Sequence, residues 1–240
     1  MSAVRTDLAA YRAAVAELAP RVRPGGGGAA IRVVEGRGAW WERLEGAAAF
    51  IVDEPDPASA EVHERLAALP VPVVVVRRRL RPDVVADASG AVATPRHVVV
   101  DAWSGRTDAA TVLRDAVGWA RVLAGGPLRA VSRADTERAT TLAVRSAAGV
   151  GASITRAIGG GGGAALTAVA LGPRRVEVRV DSASPLHEVA FDDAEGRRTA
   201  RARRESPERL ALRRILDAGE GVALSDLSDL AADDAAAARS

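Results

Sequence analysis

Three consecutive arginines, Arg77, Arg78 and Arg79, follow the most apolar run of the chain, Val71–Val76, which holds five valines and a proline. In an open α/β sheet the end of such a strand lines the ligand crevice. Guanidinium groups there can hold a phosphate, a sulfate or a carboxylate. Asp108 and Asp115 lie two turns apart on one face of a predicted helix. As a pair they would do acid/base work only if burial raised a pKa. The simpler reading is a helix cap for Asp108, beside Thr107, and an ion pair for Asp115 with Arg114 or Arg121. Glu35 closes a short predicted strand, where an acid that binds ribose can sit, and where a surface carboxylate is the plainer alternative.

Composition excludes much other chemistry. All 33 basic residues are arginine, and lysine, cysteine, asparagine and glutamine are absent. No Schiff-base lysine, P-loop lysine, thiol nucleophile, disulfide or zinc finger is available. His63, His97 and His187 are scattered, so no metal centre is expected. The 31 acidic residues leave a net charge of only +2. The pI near 10.1 therefore reflects the high pKa of arginine and does not argue for nucleic acid. The basic stretch 197–204 lacks aromatic platforms and reads as a solvated strand or loop. Gly25–Gly28 with Ala29 and Ala30 formally fits GxGxxA, but it follows a helix and precedes a strand, so it reads as a loop. No apolar leader opens the sequence, and 157–173 is too short and too glycine-rich to span a bilayer. The expectation is a cytoplasmic protein with no membrane contact.

The elements that must position these residues follow from periodicity. Leu8, Tyr11, Val15 and Leu18 predict a helix over 6–18. Strands are expected at 31–34, 48–52 and 71–76, with a short helix at 40–44 and a longer one at 58–69. Val71–Val76, apolar on both faces, fits a central parallel strand. Trp40 and Trp41 offer an exposed contact. Residues 86–95 read as a polar linker. Thereafter a strand at 97–100 and a helix at 107–123 lead into strands at 128–132, 140–146, 151–158, 165–171, 175–180 and 187–191. A loop of five glycines, Gly159–Gly163, interrupts them. Helices at 207–218 and 226–238 close the chain. The fold class is thus α/β followed by α+β. A partial Rossmann-like parallel-sheet domain over 1–90 precedes a domain over 91–240 with a large, mostly antiparallel open sheet covered by helices.

This order of elements resembles the Gfo/Idh/MocA oxidoreductases (the glucose–fructose oxidoreductase and inositol dehydrogenase family). Residues 48–55, Ala-Ala-Phe-Ile-Val-Asp-Glu-Pro, resemble the family strand that ends in a proline at the cofactor. Val71–Leu80 resembles the strand that ends in Glu-Lys-Pro-Leu. Residues 108–115 are similar in position to the helix motif Asp-x-Gly-x-His-x-x-Asp, and 118–127 continue that helix. Residues 140–158 resemble the first hairpin of the family sheet, and 210–240 its closing helices.

The resemblance implies an NAD or NADP site with Glu35 and Pro55 at the cofactor, and a sheet that mediates dimerisation. The departures imply loss of that chemistry. The first strand and its Gly-rich phosphate loop are expected to precede residue 1. Arg77, Arg78 and Arg79 replace Glu, Lys and Pro. Val112 replaces the catalytic histidine and Ala110 the glycine, while Asp108 and Asp115 remain. Valine cannot take a proton, and arginine at position 78 stays charged. The leading expectation is a pseudoenzyme without cofactor. It would act as a non-catalytic subunit in a homo- or hetero-oligomer built on the C-terminal sheet, including one with a complete homologue. A second reading is an NAD(P)-dependent oxidoreductase for a sugar-like carbonyl or alcohol, with Arg78 polarising the carbonyl and Asp108 or Asp115 moving the proton. A third is a sensor holding an anion or sugar phosphate at Arg77–Arg79.

Overall fold

The computed structural model describes the chain except residues 20, 27, 29, 160–162, 183, 185, 186, 220, 239 and 240. Most of the five-glycine loop, and part of the Gly25–Ala30 segment, therefore lie outside the described residues. The chain forms two compact units. One comprises Met1–Arg78 with Glu205–Ala231, the other Arg79–Arg204 with Ala232–Ser240. The division falls at Arg78 rather than at residue 90, and the chain returns to the first unit after Arg204.

The first unit is built on a five-stranded parallel sheet of order β2-β1-β3-β4-β5. Its strands are β1 (Ser2–Arg5), β2 (Val22–Pro24), β3 (Ile31–Glu35), β4 (Ala49–Asp53) and β5 (Val73–Val76). Helices α1 (Ala9–Glu17) and α2 (Ala60–Ala67) connect them, with a 3-10 turn at Trp40–Arg43. Successive side chains of a strand point to opposite faces. So Ile51, Val74 and Val76 enter one core with Tyr11 and Val15, while Phe50, Val52, Val73 and Val75 enter another with Trp40 and Leu66. Two buried faces explain the unbroken apolar runs.

Three expectations are corrected here. The strand expected ahead of residue 1 is found within the sequence, as Ser2–Arg5, paired with β2 and β3. Four residues with only Val4 in the core carry no periodic signal. Second, Val73–Val76 is the edge strand, not a central one. Its Val75 N–H is satisfied by the Asp226 carboxylate at 2.8 Å, which Arg214 also grips at 2.6 and 2.9 Å. Third, Trp40 is fully buried and donates its indole N–H to the Asp56 carbonyl at 3.0 Å.

The second unit carries an eight-stranded sheet of order β13-β12-β11-β10-β6-β9-β8-β7. Strands β6 (His97–Ser104), β7 (Leu128–Asp135), β8 (Ala139–Ser146) and β9 (Gly151–Ile158) form one half. Strands β10 (Ala165–Leu171), β11 (Arg175–Asp181), β12 (Glu188–Asp193) and β13 (Gly196–Thr199) form the other. Only β6 and β9 pair in parallel. Helices α3 (Pro82–Ala91) and α4 (Ala109–Leu123) pack in its core. The expected linker at 86–95 is thus mostly helix. Pro82 presets its first turn, and Val84, Ala88 and Ala91 bury one face.

Two helices end the chain, α5 (Pro207–Gly219) and α6 (Asp226–Ala238). In the second unit, α4 is tied to the last turns of α6. Arg121 holds Asp233 with two bonds of 2.7 and 3.1 Å, and Arg114 lies 3.9 Å from Asp234. Asp233 is completely buried. Removing one partner of a buried pair strands the other. Asp233→Ala should therefore destabilise the protein by about 3 kcal/mol in urea unfolding; a loss near zero would show that this pair holds nothing.

Candidate functional site

The carboxyl ends of the parallel strands form one edge of the first unit. β1 lies between β2 and β3, so chain direction across the sheet reverses at the tips of β1 and β3. Ligands of open α/β sheets bind at such a switch point. The turn from β1 into α1 is Thr6-Asp7-Leu8, without glycine. The Leu8 N–H is already spent on Thr6 Oγ1 at 3.1 Å, and Arg12 clasps the Asp7 carbonyl at 2.9 Å. An exposed carboxylate, Asp7, thus stands before the helix where a pyrophosphate needs free N–H donors. The turn lacks the glycines that let a pyrophosphate approach the backbone.

Glu35 is exposed at the tip of β3, while the second strand, β2, ends in Pro24 and Gly25 with no acid. Pro55 is buried against Gly36. A β-carbon on Gly36 would land on the Pro55 backbone and 2.6 Å from the Asp53 carbonyl oxygen. That close approach, with Gly36 N–H donating to Asp53 O at 2.7 Å, welds the tips of β3 and β4 together. Glu54 adopts a left-handed conformation (φ 51°), unusual before a proline. Its carboxylate accepts the Arg78 N–H.

Arg78 is the hub of this edge. Its guanidinium reaches Glu208 of α5 at 2.7 Å and both oxygens of Asp53 at 3.1 and 3.2 Å. Tyr11, wholly buried on α1, donates its hydroxyl to Asp53 at 3.0 Å. Burial, then the Asp53 charge, pushes the Tyr11 pKa far up, so it remains a donor. Burial alone would raise the Glu208 carboxyl. Hydrogen bonds from its own backbone N–H and from Arg78 outweigh burial and hold it below its ordinary 4.5. Sequence reasoning passed over Tyr11, Asp53 and Glu208. Tyr11 was legible only as one apolar position of a helix, and Glu208 lies 130 residues from its partner.

The remaining candidates belong to the second unit. Arg79 is engaged by Asp115 at 2.9 Å and lies 3.4 Å from Thr111 Oγ1, and its carbonyl accepts the Trp119 indole N–H at 2.7 Å. Asp115 is fully buried, with Arg114 at 3.6 Å. Asp108 begins α4 without a side-chain cap bond; its carbonyl accepts from Thr111 at 2.9 Å. Val112 points into the hydrophobic core. The expected cradle of Arg77–Arg79 is corrected accordingly. Arg78 and Arg79 are occupied by internal carboxylates, and Arg77 is buried. Among the described residues no cluster of His, Asp or Glu could hold a metal, and no helix is long and apolar enough to cross a membrane.

No family model matches the sequence, and no curated protein is similar to it in sequence. Solved structures do share its architecture. UDP-N-acetylglucosamine 3-dehydrogenase GnnA from Acidithiobacillus ferrooxidans superposes with a TM-score of 0.67 at 15% identity, over 93% of this chain and 82% of that one. An oxidoreductase from Sinorhizobium meliloti gives 0.69 at 11% identity, over 98% and 94%. KijD10, a 3-ketoreductase from Actinomadura kijaniata solved with TDP-benzene and NADP, gives 0.66 at 12% identity, over 98% and 94%. The chain has the Gfo/Idh/MocA oxidoreductase fold. Within that fold, the Arg78 cluster occupies the strand tips of its Rossmann-like sheet.

Because Glu208 is held below its ordinary value, its contribution is complete above pH 4.5 and lost as pH falls through the folded value. Arg78 is two-fifths exposed, so solvent screens the cluster. Arg78→Ala should cost about 2 kcal/mol at pH 7, less than a fully buried pair. It should also flatten the fall in urea midpoint between pH 6 and pH 3 (roughly the carboxylate range). An unchanged midpoint and pH profile would contradict this assignment.

Proposed function

We propose that this protein keeps the oxidoreductase fold but has given up NAD(P)-dependent redox chemistry, and serves as a non-catalytic subunit. The β1–α1 turn carries the reading. Thr6-Asp7-Leu8 offers a carboxylate and no glycine where a phosphate would have to sit, and the Leu8 N–H is already bonded. Two further features support it. Val112 is sealed in a core and can neither reach nor relay a proton. Arg78, the residue in the lysine position, is bound by Asp53 and Glu208.

The subunit associates through the face of the large sheet that α3 and α4 leave open. By strand register Asp101 and Trp103 of β6, Thr155 of β9 and Thr167 of β10 share that face, at the end away from His97. Trp103 is 47% exposed there, among small side chains. An aromatic on a flat face of small residues suits a close contact with a second sheet. A like surface on another copy, or on a complete homologue, would cover it. The alternative reading, a working oxidoreductase, draws on KijD10, which was solved with NADP.

Titration of the protein into NADH and NADPH, followed by nicotinamide fluorescence, separates the two. We expect no enhancement or shift at millimolar protein-accessible concentrations, together with a dimer or larger species by light scattering. Micromolar binding of either nucleotide would overturn the non-catalytic reading. A strict monomer that Trp103→Glu leaves unchanged would overturn the interface.

A further inference from the structure

The arginines expected to hold an anion are engaged internally, but others are not. On the open face of the large sheet, Arg129 of β7 stands directly across from Arg145 of β8. Both are exposed. Among the described residues Arg129 has no side-chain partner, and Arg145 reaches only the Gly149 carbonyl at 3.3 Å. Like charges in direct cross-strand register oppose strand pairing. A shared anion would turn that repulsion into attraction.

The same row continues across the sheet. Arg145 is in register with Gly151 of β9, and Gly151 with His97 of β6. Gly151 supplies no side chain, and the His97 imidazole leans over it: a β-carbon built there would stand 3.2 Å from His97 Nδ1. His97 Nε2 is paired with Ser153 Oγ at 3.1 Å. In the tautomer in which Ser153 donates to Nε2, Nδ1 carries the proton and offers it above Gly151. The segments that meet at this end of the sheet, 93–97, 128–132 and 143–151, contain no carboxylate.

We propose that Arg129 and Arg145, with His97 beside Gly151, form a binding site for a phosphate-type oxyanion carried by a small molecule. The two guanidinium groups supply charge-assisted donors, and His97 Nδ1–H supplies a directional one. The site belongs to the second unit alone and does not depend on the fate of the nicotinamide chemistry.

Inorganic phosphate is the probe. Thermal unfolding of the full chain is followed in phosphate and in sodium chloride of equal ionic strength. Phosphate at about tenfold its dissociation constant should raise Tm by ~3 °C over the chloride control. The double variant Arg129→Gln/Arg145→Gln should fold normally, since both side chains are exposed, and should lose the shift. Arg201→Gln/Arg204→Gln, which removes two exposed arginines elsewhere, should keep it. Equal Tm in phosphate and chloride would overturn the proposal. So would a shift that survives the Arg129/Arg145 change, or one that Arg201/Arg204 abolishes as well.

Discussion

One guanidinium group fixes the chemistry of the first unit. Arg78 leaves the last strand of the parallel sheet and joins Asp53 of the neighbouring strand to Glu208 of a helix far along the chain. Tyr11 adds a hydroxyl from α1 to the same carboxylate. Two strand tips, α1 and α5 thereby share one charged cluster. Its members satisfy each other, which is what a partly buried charge requires. Strand tips that elsewhere greet a ligand here greet the protein's own side chains.

Arginine is the only strong cation this chain has, so every basic role falls to it. It is always charged and can fork onto carboxylates, and it cannot act as a proton shuttle. The structure uses it accordingly. Arg121 grips the buried Asp233 of α6, Arg79 grips the buried Asp115 of α4, and Arg214 holds the acid that caps the edge of β5. These are structural duties. Where no acid pairs with it among the described residues, as at Arg129 and Arg145, a guanidinium remains available for a ligand.

Much of the fold could be read from hydrophobic spacing, and the failures have physical causes. Val71–Val76 was readable as a strand because both its faces meet cores. Its edge position was not, because a single carboxylate, Asp226, does the work of a neighbouring strand. The strand Ser2–Arg5 is too short to show a period. Helix α3 was hidden by its Ala, Gly and Pro content, though the three- and four-residue spacing of Val84, Ala88 and Ala91 could have revealed it. At the site, Arg77–Arg79 drew attention through their run of charge. What the run lacked was information on partners, since Asp53, Glu208 and Asp115 approach from distant segments.

The exposed Asp7 carboxylate and the engaged Leu8 N–H should keep a nucleotide from the β1–α1 turn. Amide hydrogen exchange reports on those N–H groups one by one. Exchange at residues 5–12, measured with and without saturating NADP, should be identical on this account. Slowed exchange at Asp7, Leu8 and Ala9 on adding the nucleotide would mean that the turn opens to receive a pyrophosphate, and the account would be wrong.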